Sequence, residues 1–223
     1  MLALVRAGYR LARPLFPFLA MFSGIALLIY ILAGVSLVLA MAVTTSAMVA
    51  GLVVVMVMSS AAERRRIIRT ILVAAAAGFI ATVAYDASKS VLSQLDPSPY
   101  NPFEVIRIFG GLLVGHDANR TLILVAGAAF HLLNGTAFGV AYSFLFARGG
   151  DTTWGRALAT GVGWGLFLET FQLTLYPGWL DIRLYAEFAT ISALGHVVYG
   201  ATLGLMARKL LRATDPARTK PAT

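Results

Sequence analysis

Hydrophobic positions in this chain come in long blocks, and the few charged positions fall between them. The longest block, residues 14–62, contains no charged side chain. One bilayer span needs about 20 apolar residues at ~1.5 Å each, so this block predicts two spans back to back. Unpaired charge is costly in hydrocarbon, which assigns such a block to lipid. The turn between the two spans is expected near Met41–Ala47, where Thr44, Thr45 and Ser46 offer polar groups suited to a turn. Span 1 then covers about Leu15–Ala40 and span 2 about Thr45–Ala62, closed by Glu63-Arg64-Arg65-Arg66 and Arg69.

Four further blocks predict span 3 at about Ile67–Val91, span 4 at Thr121–Ala147, span 5 from Trp154–Arg156 to Tyr176-Pro177, and span 6 at Phe188–Ala207. The connection 93–120 carries Pro97, Pro99 and Pro102, then a stretch, Phe103–Val114, patterned as a short amphipathic helix on the membrane surface. There Glu104 and Arg107 share a helical face, and Phe103 and Ile106 are expected against lipid. A second loop, Gly178–Glu187, holds Trp179 and Tyr185 as interface anchors. The expected organisation is a basic interfacial segment (1–14), a transmembrane hairpin (15–62), a four-helix unit (63–212) and a polar, disordered tail (213–223). The fold class is all-α: a polytopic membrane bundle of six helices.

Charge orients that bundle. Of the 18 Lys and Arg residues, all except Lys89, Arg107, Arg120 and Arg183 fall in the termini and in the 63–69 and 148–156 links. With six spans these segments lie on one side, and the excess of basic residues on cytoplasmic segments puts both termini in the cytoplasm of a bacterial inner membrane. The net charge of +8 therefore reflects topology and not nucleic-acid binding. Charged residues make up 13% of the chain, against roughly 25% in soluble domains. Cysteine is absent, which excludes disulfides, thiolate metal sites and a cysteine nucleophile.

Spans 3–4 and 5–6 read as two copies of one helical hairpin. Span 3 has Gly78, Thr82, Asp86 and Lys89; span 5 has Gly161, Gly165, Glu169 and Gln172. Span 4 has His131, Gly135 and Gly139; span 6 has His196, Gly200 and Gly204, with Asn134 and Tyr199 at the same place in each pattern. Residues four apart share a helix face, and small residues at that spacing let backbones approach closely. Both copies start in the cytoplasm, so the repeats are parallel and related by an axis along the membrane normal.

Asp86, His131, Glu169 and His196 are the candidate site. At ~1.5 Å per residue from the cytoplasmic arginines, Glu169 and His196 lie roughly 18–20 Å deep and Asp86 and His131 near 25 Å, all in the outer half. Ionisable groups at such depth mark functional sites by default. Two carboxylates and two imidazoles between spans 3 to 6, with Gln172 and Asn134 beside them, suit a proton relay or a small cation. His131, His196 and Glu169 could instead hold a divalent metal, and His131 and His196 could hold haem b as axial ligands. A buried acid–His pair can equally serve only to tie two helices together. His116, beside Asp117, is expected as a solvated surface histidine. No catalytic constellation is present: Gly110-Gly111 lacks the lysine and hydroxyl of a phosphate loop, and Ser88, Ser90 and Ser93 form no nucleophile elbow.

The segments His131–Gly139 and His196-Val197-Val198-Tyr199-Gly200 resemble a loose set of small bacterial inner-membrane proteins whose Gly-rich helices carry His-x-x-x-Gly-x-x-x-Gly. The resemblance covers spans 3 to 6 and implies no established activity. The leading expectation is an intramembrane acid–His site open to the outer side. The rivals are an accessory or assembly subunit of a larger membrane complex, and a haem- or metal-binding oxidoreductase component. The bilayer is the certain partner, with a second copy or another membrane protein as candidates.

Overall fold

The structure, a computed structural model, describes residues 14–147 and 152–214. The basic segment before Pro14, the Arg148 end of span 4 and the tail beyond Thr214 lie outside the described residues. Eight helices and no strand occur among the described residues. They are α1 (Pro14–Ala20), α2 (Phe22–Ala33), α3 (Leu37–Met58), α4 (Ala61–Leu95), α5 (Glu104–Val114), α6 (Arg120–Leu145), α7 (Trp154–Leu180) and α8 (Tyr185–Ala213). Four of them, α3, α4, α6 and α8, are long and apolar enough to cross a membrane, and α1 with α2 makes a fifth if that bent pair counts as one span. The protein is a multi-pass helical membrane protein. At 27 residues α7 has the length of a span, but Glu169, Gln172 and its threonines dilute its apolar character.

The first turn is not where Thr44-Thr45-Ser46 suggested. It lies at Gly34–Ser36, because Gly34 adopts φ +68°, caps α2 with its N–H on the Tyr30 carbonyl, and Ser36 caps α3 by accepting from the Leu39 N–H. A left-handed residue costs any side chain ~1–2 kcal/mol, which makes glycine the natural stop. Thr44 stays helical by donating its hydroxyl to the Ala40 carbonyl at 2.8 Å, so a mid-helix threonine satisfies itself without a turn. Span 1 is also not one straight helix: α1 and α2 meet at 64° across Met21.

The Arg64–Arg69 cluster is likewise not a loop after span 2. It occupies the first turns of α4, because Ser60 and Glu63 form a capping box that starts the helix before it. α7 runs through Pro177 to Leu180, where Asp181 at φ 48° ends it.

α4 packs against α6 on one side and α8 on the other, and α7 packs on the far side of α8. α5 lies on α6, α2 bridges to α6, and α3 is outermost, with 11% of its apolar window buried against 50% for α8. Arginines tie the basic end together. Arg69 donates to the Thr214 carbonyl, and Arg208 donates to the Thr152 carbonyl at 2.6 Å while lying over the Trp154 ring. The expected surface helix exists as α5, with the Glu104–Arg107 pair on its exposed side, but its other side packs on protein. A Cβ on Gly110 would strike the Ile123 carbonyl of α6, and one on Gly127 would strike the Ile106 carbonyl of α5.

Candidate functional site

Two helix crossings built from glycines set the site. In the α4–α6 crossing a Cβ on Gly139 would lie 2.6 Å from the Gly78 Cα, and Gly135 faces the Thr82 side chain. In the α7–α8 crossing Gly161 faces the Gly200 carbonyl, Gly204 the Ala157 carbonyl and Gly165 the His196 carbonyl. Each crossing carries an acid–His pair on the side away from the basic end. Asp86 Oδ1 lies 2.9 Å from His131 Nε2, and Glu169 Oε2 lies 2.7 Å from His196 Nδ1. In both hairpins the acid of the first helix meets the histidine of the second.

The two pairs differ in wetness. Side chains of the Asp86–His131 pair are 28% and 17% exposed; those of Glu169 and His196 are 2% and 7%. The dry pair sits in a polar network. Ser192 Oγ donates to Glu169 Oε2 at 2.8 Å and reaches Gln172 Oε1 at 3.3 Å. His196 Nδ1 also lies 3.0 Å from the Ser192 carbonyl, an acceptor only, so Nδ1 carries a proton. Gln172 Nε2 lies 3.3 Å from His196 Nε2, which suits a neutral ring that accepts there. Glu169 Oε1 is buried with no hydrogen-bond partner among the described residues.

The four ionisable residues do not gather into one cluster. The Tyr85 ring stands between the imidazoles, with its centroid 6.0 Å from His131 and 4.9 Å from His196. No group of three or more His, Asp and Glu suited to a metal forms among the described residues, so His131, His196 and Glu169 are not a joint ligand set. Axial haem ligation fares no better in this geometry, because His131 Nε2 is turned to Asp86 and His196 Nε2 to Gln172.

Both imidazoles and Gln172 face a shared cavity of about 400 Å³, while the two carboxylates stand behind their histidines. Its rim is formed by the α4–α5 loop and by residues 181–184, at the end opposite the Arg64–Arg69 cluster. Asn134 is in its wall but accepts from Ser23 of α2 at 2.9 Å, so it serves to dock that helix. Tyr199 lines it too, with its hydroxyl on the Gly135 carbonyl at 2.7 Å, joining the two hairpins. Tyr100, in the loop, has its phenol pushed up to about 12 by burial and by the Glu169 charge, and so remains a neutral donor at the rim.

Tyr85, Ser192 and Ser23 were not singled out from sequence. Ser192 carried a signal, four residues before His196 on one helical face. Lys89, read from sequence only as the polar last member of the span 3 pattern, is 5% exposed and in the cavity wall. His116 is exposed, as its setting beside Asp117 suggested.

A profile described as a family of unknown function, DUF6789, matches residues 68–218. That range takes in both acid–His pairs and leaves out α1–α3. No curated protein and no solved structure matches the chain.

Proposed function

The chain belongs to the DUF6789 family, and within it we propose a six-span inner-membrane protein with a proton-binding site open to the outer face. In this reading α7 is the remaining span, and both termini are cytoplasmic. The excess of Lys and Arg at one end of the bundle supports that orientation. Hairpins α4–α6 and α7–α8 are then duplicates, supported by the matching glycine contacts and the matching acid–His pairs. Between the hairpins α4 packs on α8, and α6 meets α7 through Tyr142, whose hydroxyl lies 2.9 Å from Thr160 Oγ1.

The observation that carries the proton reading is Glu169. One of its oxygens is held by His196 and Ser192, and the other is buried without a donor among the described residues. A bare carboxylate oxygen in such a place is costly, and a proton on it removes the cost. His196 offers the matching step. Protonation of its Nε2 sets an N–H against the Gln172 amide, which then has to turn its oxygen to the ring and release Ser192. The wetter Asp86–His131 pair across the cavity supplies exchange with the aqueous side. Toward the basic end the glycine crossings leave little room between backbones, so access is one-sided.

Infrared difference spectroscopy during a pH titration tests this. The expected outcome is a protonated-carboxyl band that disappears in Glu169→Gln, together with loss of the associated proton uptake. Wild-type and Glu169→Gln titrations that superimpose defeat the proposal.

A further inference from the structure

The proton reading leaves the buried amine of Lys89 unused. Lys89 Nζ donates to the Pro102 carbonyl at 2.8 Å and reaches the Tyr85 hydroxyl only at 3.4 Å. An ammonium has three donors, so these contacts leave at least one N–H uncommitted. The rings of Tyr85 and Phe103 lie 4.8 and 5.4 Å from it, which softens its desolvation without neutralising it. Its nearest acids are otherwise engaged: Asp86, one turn earlier, is bonded to His131, and Glu169 to His196. Neither forms an ion pair with Lys89 among the described residues.

At the rim, Glu104 is matched by Arg107 and Asp181 by Arg183 at 3.6 Å, both exposed and screened by solvent. Below the rim, Lys89 is the amine in the wall, 5% exposed and with an N–H to spare. The same wall holds the phenols of Tyr100 and Tyr176 and the rings of Phe109, Phe138 and Phe188. The cavity's volume of about 400 Å³ falls in the range of small-molecule sites.

We propose that this cavity binds an anion-headed amphiphile, with the head on Lys89 and the apolar body against the aromatic wall. The same chemistry belongs to a free medium-chain carboxylate entering from the aqueous rim and to an anionic lipid entering from the bilayer. The proposal does not depend on proton transfer at Glu169, and binding alone tests it.

The experiment is titration calorimetry on the full chain in an uncharged maltoside detergent, with octanoate, octanamide and phosphatidylglycerol as probes. Octanoate or phosphatidylglycerol should bind at one site, and which of the two does so identifies the source. Octanamide, which has the same tail and no charge, should bind about tenfold or more weaker than octanoate if the free acid is the ligand. Lys89→Met should weaken the anionic probe by a similar factor, and Lys89→Arg should restore most of it. Equal affinity of the wild type for octanoate and octanamide without binding of phosphatidylglycerol, no binding of either anionic probe, or unchanged affinity for the anionic probe in folded Lys89→Met overturns the proposal. The octanoate–octanamide comparison and the phosphatidylglycerol titration need no variant. Retained octanoate binding in Glu169→Gln, beside an unaltered infrared titration, separates failure of the proton reading from failure of this one.

Discussion

Ser192 shows how much one hydroxyl decides at the dry pair. It is the hydroxyl donor to Glu169 Oε2, lies against Gln172 Oε1, and its carbonyl fixes the tautomer of His196. Ser192→Ala leaves buried acceptors short of a donor, and a loss of about 1–3 kcal/mol is expected, measured as a lower melting temperature in detergent. Asp86→Asn should behave differently. Its pair with His131 is partly exposed, so water replaces what the substitution removes, and the expected cost is below about 1 kcal/mol by the same measurement. Equal losses in the two variants would mean that the two sites are equally dry, contrary to the geometry.

Among the elements, glycine positions that look alike in sequence separate sharply by surroundings. Gly139→Ala places a methyl group against the α4 backbone at Gly78, and Gly200→Ala places one against the Gly161 carbonyl. Backbone cannot rotate away as a side chain can, so each is expected to cost about 1–3 kcal/mol or to splay its crossing. Gly163 has nothing within 4 Å of a Cβ and sits inside α7. There Gly163→Ala should stabilise by about 0.5–1 kcal/mol, since alanine loses less backbone entropy in a helix. Thermal unfolding of the three variants side by side checks both directions. The same contrast explains why two matched crossings form: where glycines align across helices, carbonyls of the partner fill the space and set the acid–His distance one turn further on.

Over the whole molecule, the orientation proposed above is open to a direct measurement because the chain has no cysteine of its own. Asp117→Cys, in the exposed loop before α6, is expected to react with a membrane-impermeant maleimide in intact cells. Gly155→Cys, at the start of α7 with open space around it, is expected to react only after lysis. The reverse pattern would invert the bundle and place the cavity on the cytoplasmic side. At this scale α2 also acquires a role that its apolar sequence hides. Ser23 bonds Asn134, Gly24 abuts the Phe138 ring and Tyr30 meets Trp179, so α2 leans on α6 and on the end of α7 beside the cavity.

Residue order by itself determined that this protein is helical and membrane-embedded, because uncharged blocks of span length have no other stable environment. It also determined which residues pair across each crossing: Asp86 with His131 and Glu169 with His196 recur at fixed offsets from glycines on one helical face. Where helices stop and start was written locally too, in Gly34 and in Ser60 with Glu63, though the polar cluster at Thr44–Ser46 competed with the first of these signals. Only the tertiary structure decided that Tyr85 separates the two imidazoles, that Ser192 and Gln172 surround the dry pair, and that Lys89 is buried in a cavity wall. The reason is physical. Hydropathy ranks a residue's cost in water, whereas its partners depend on which helix faces it across space, and lipid and protein interiors look alike to an apolar side chain.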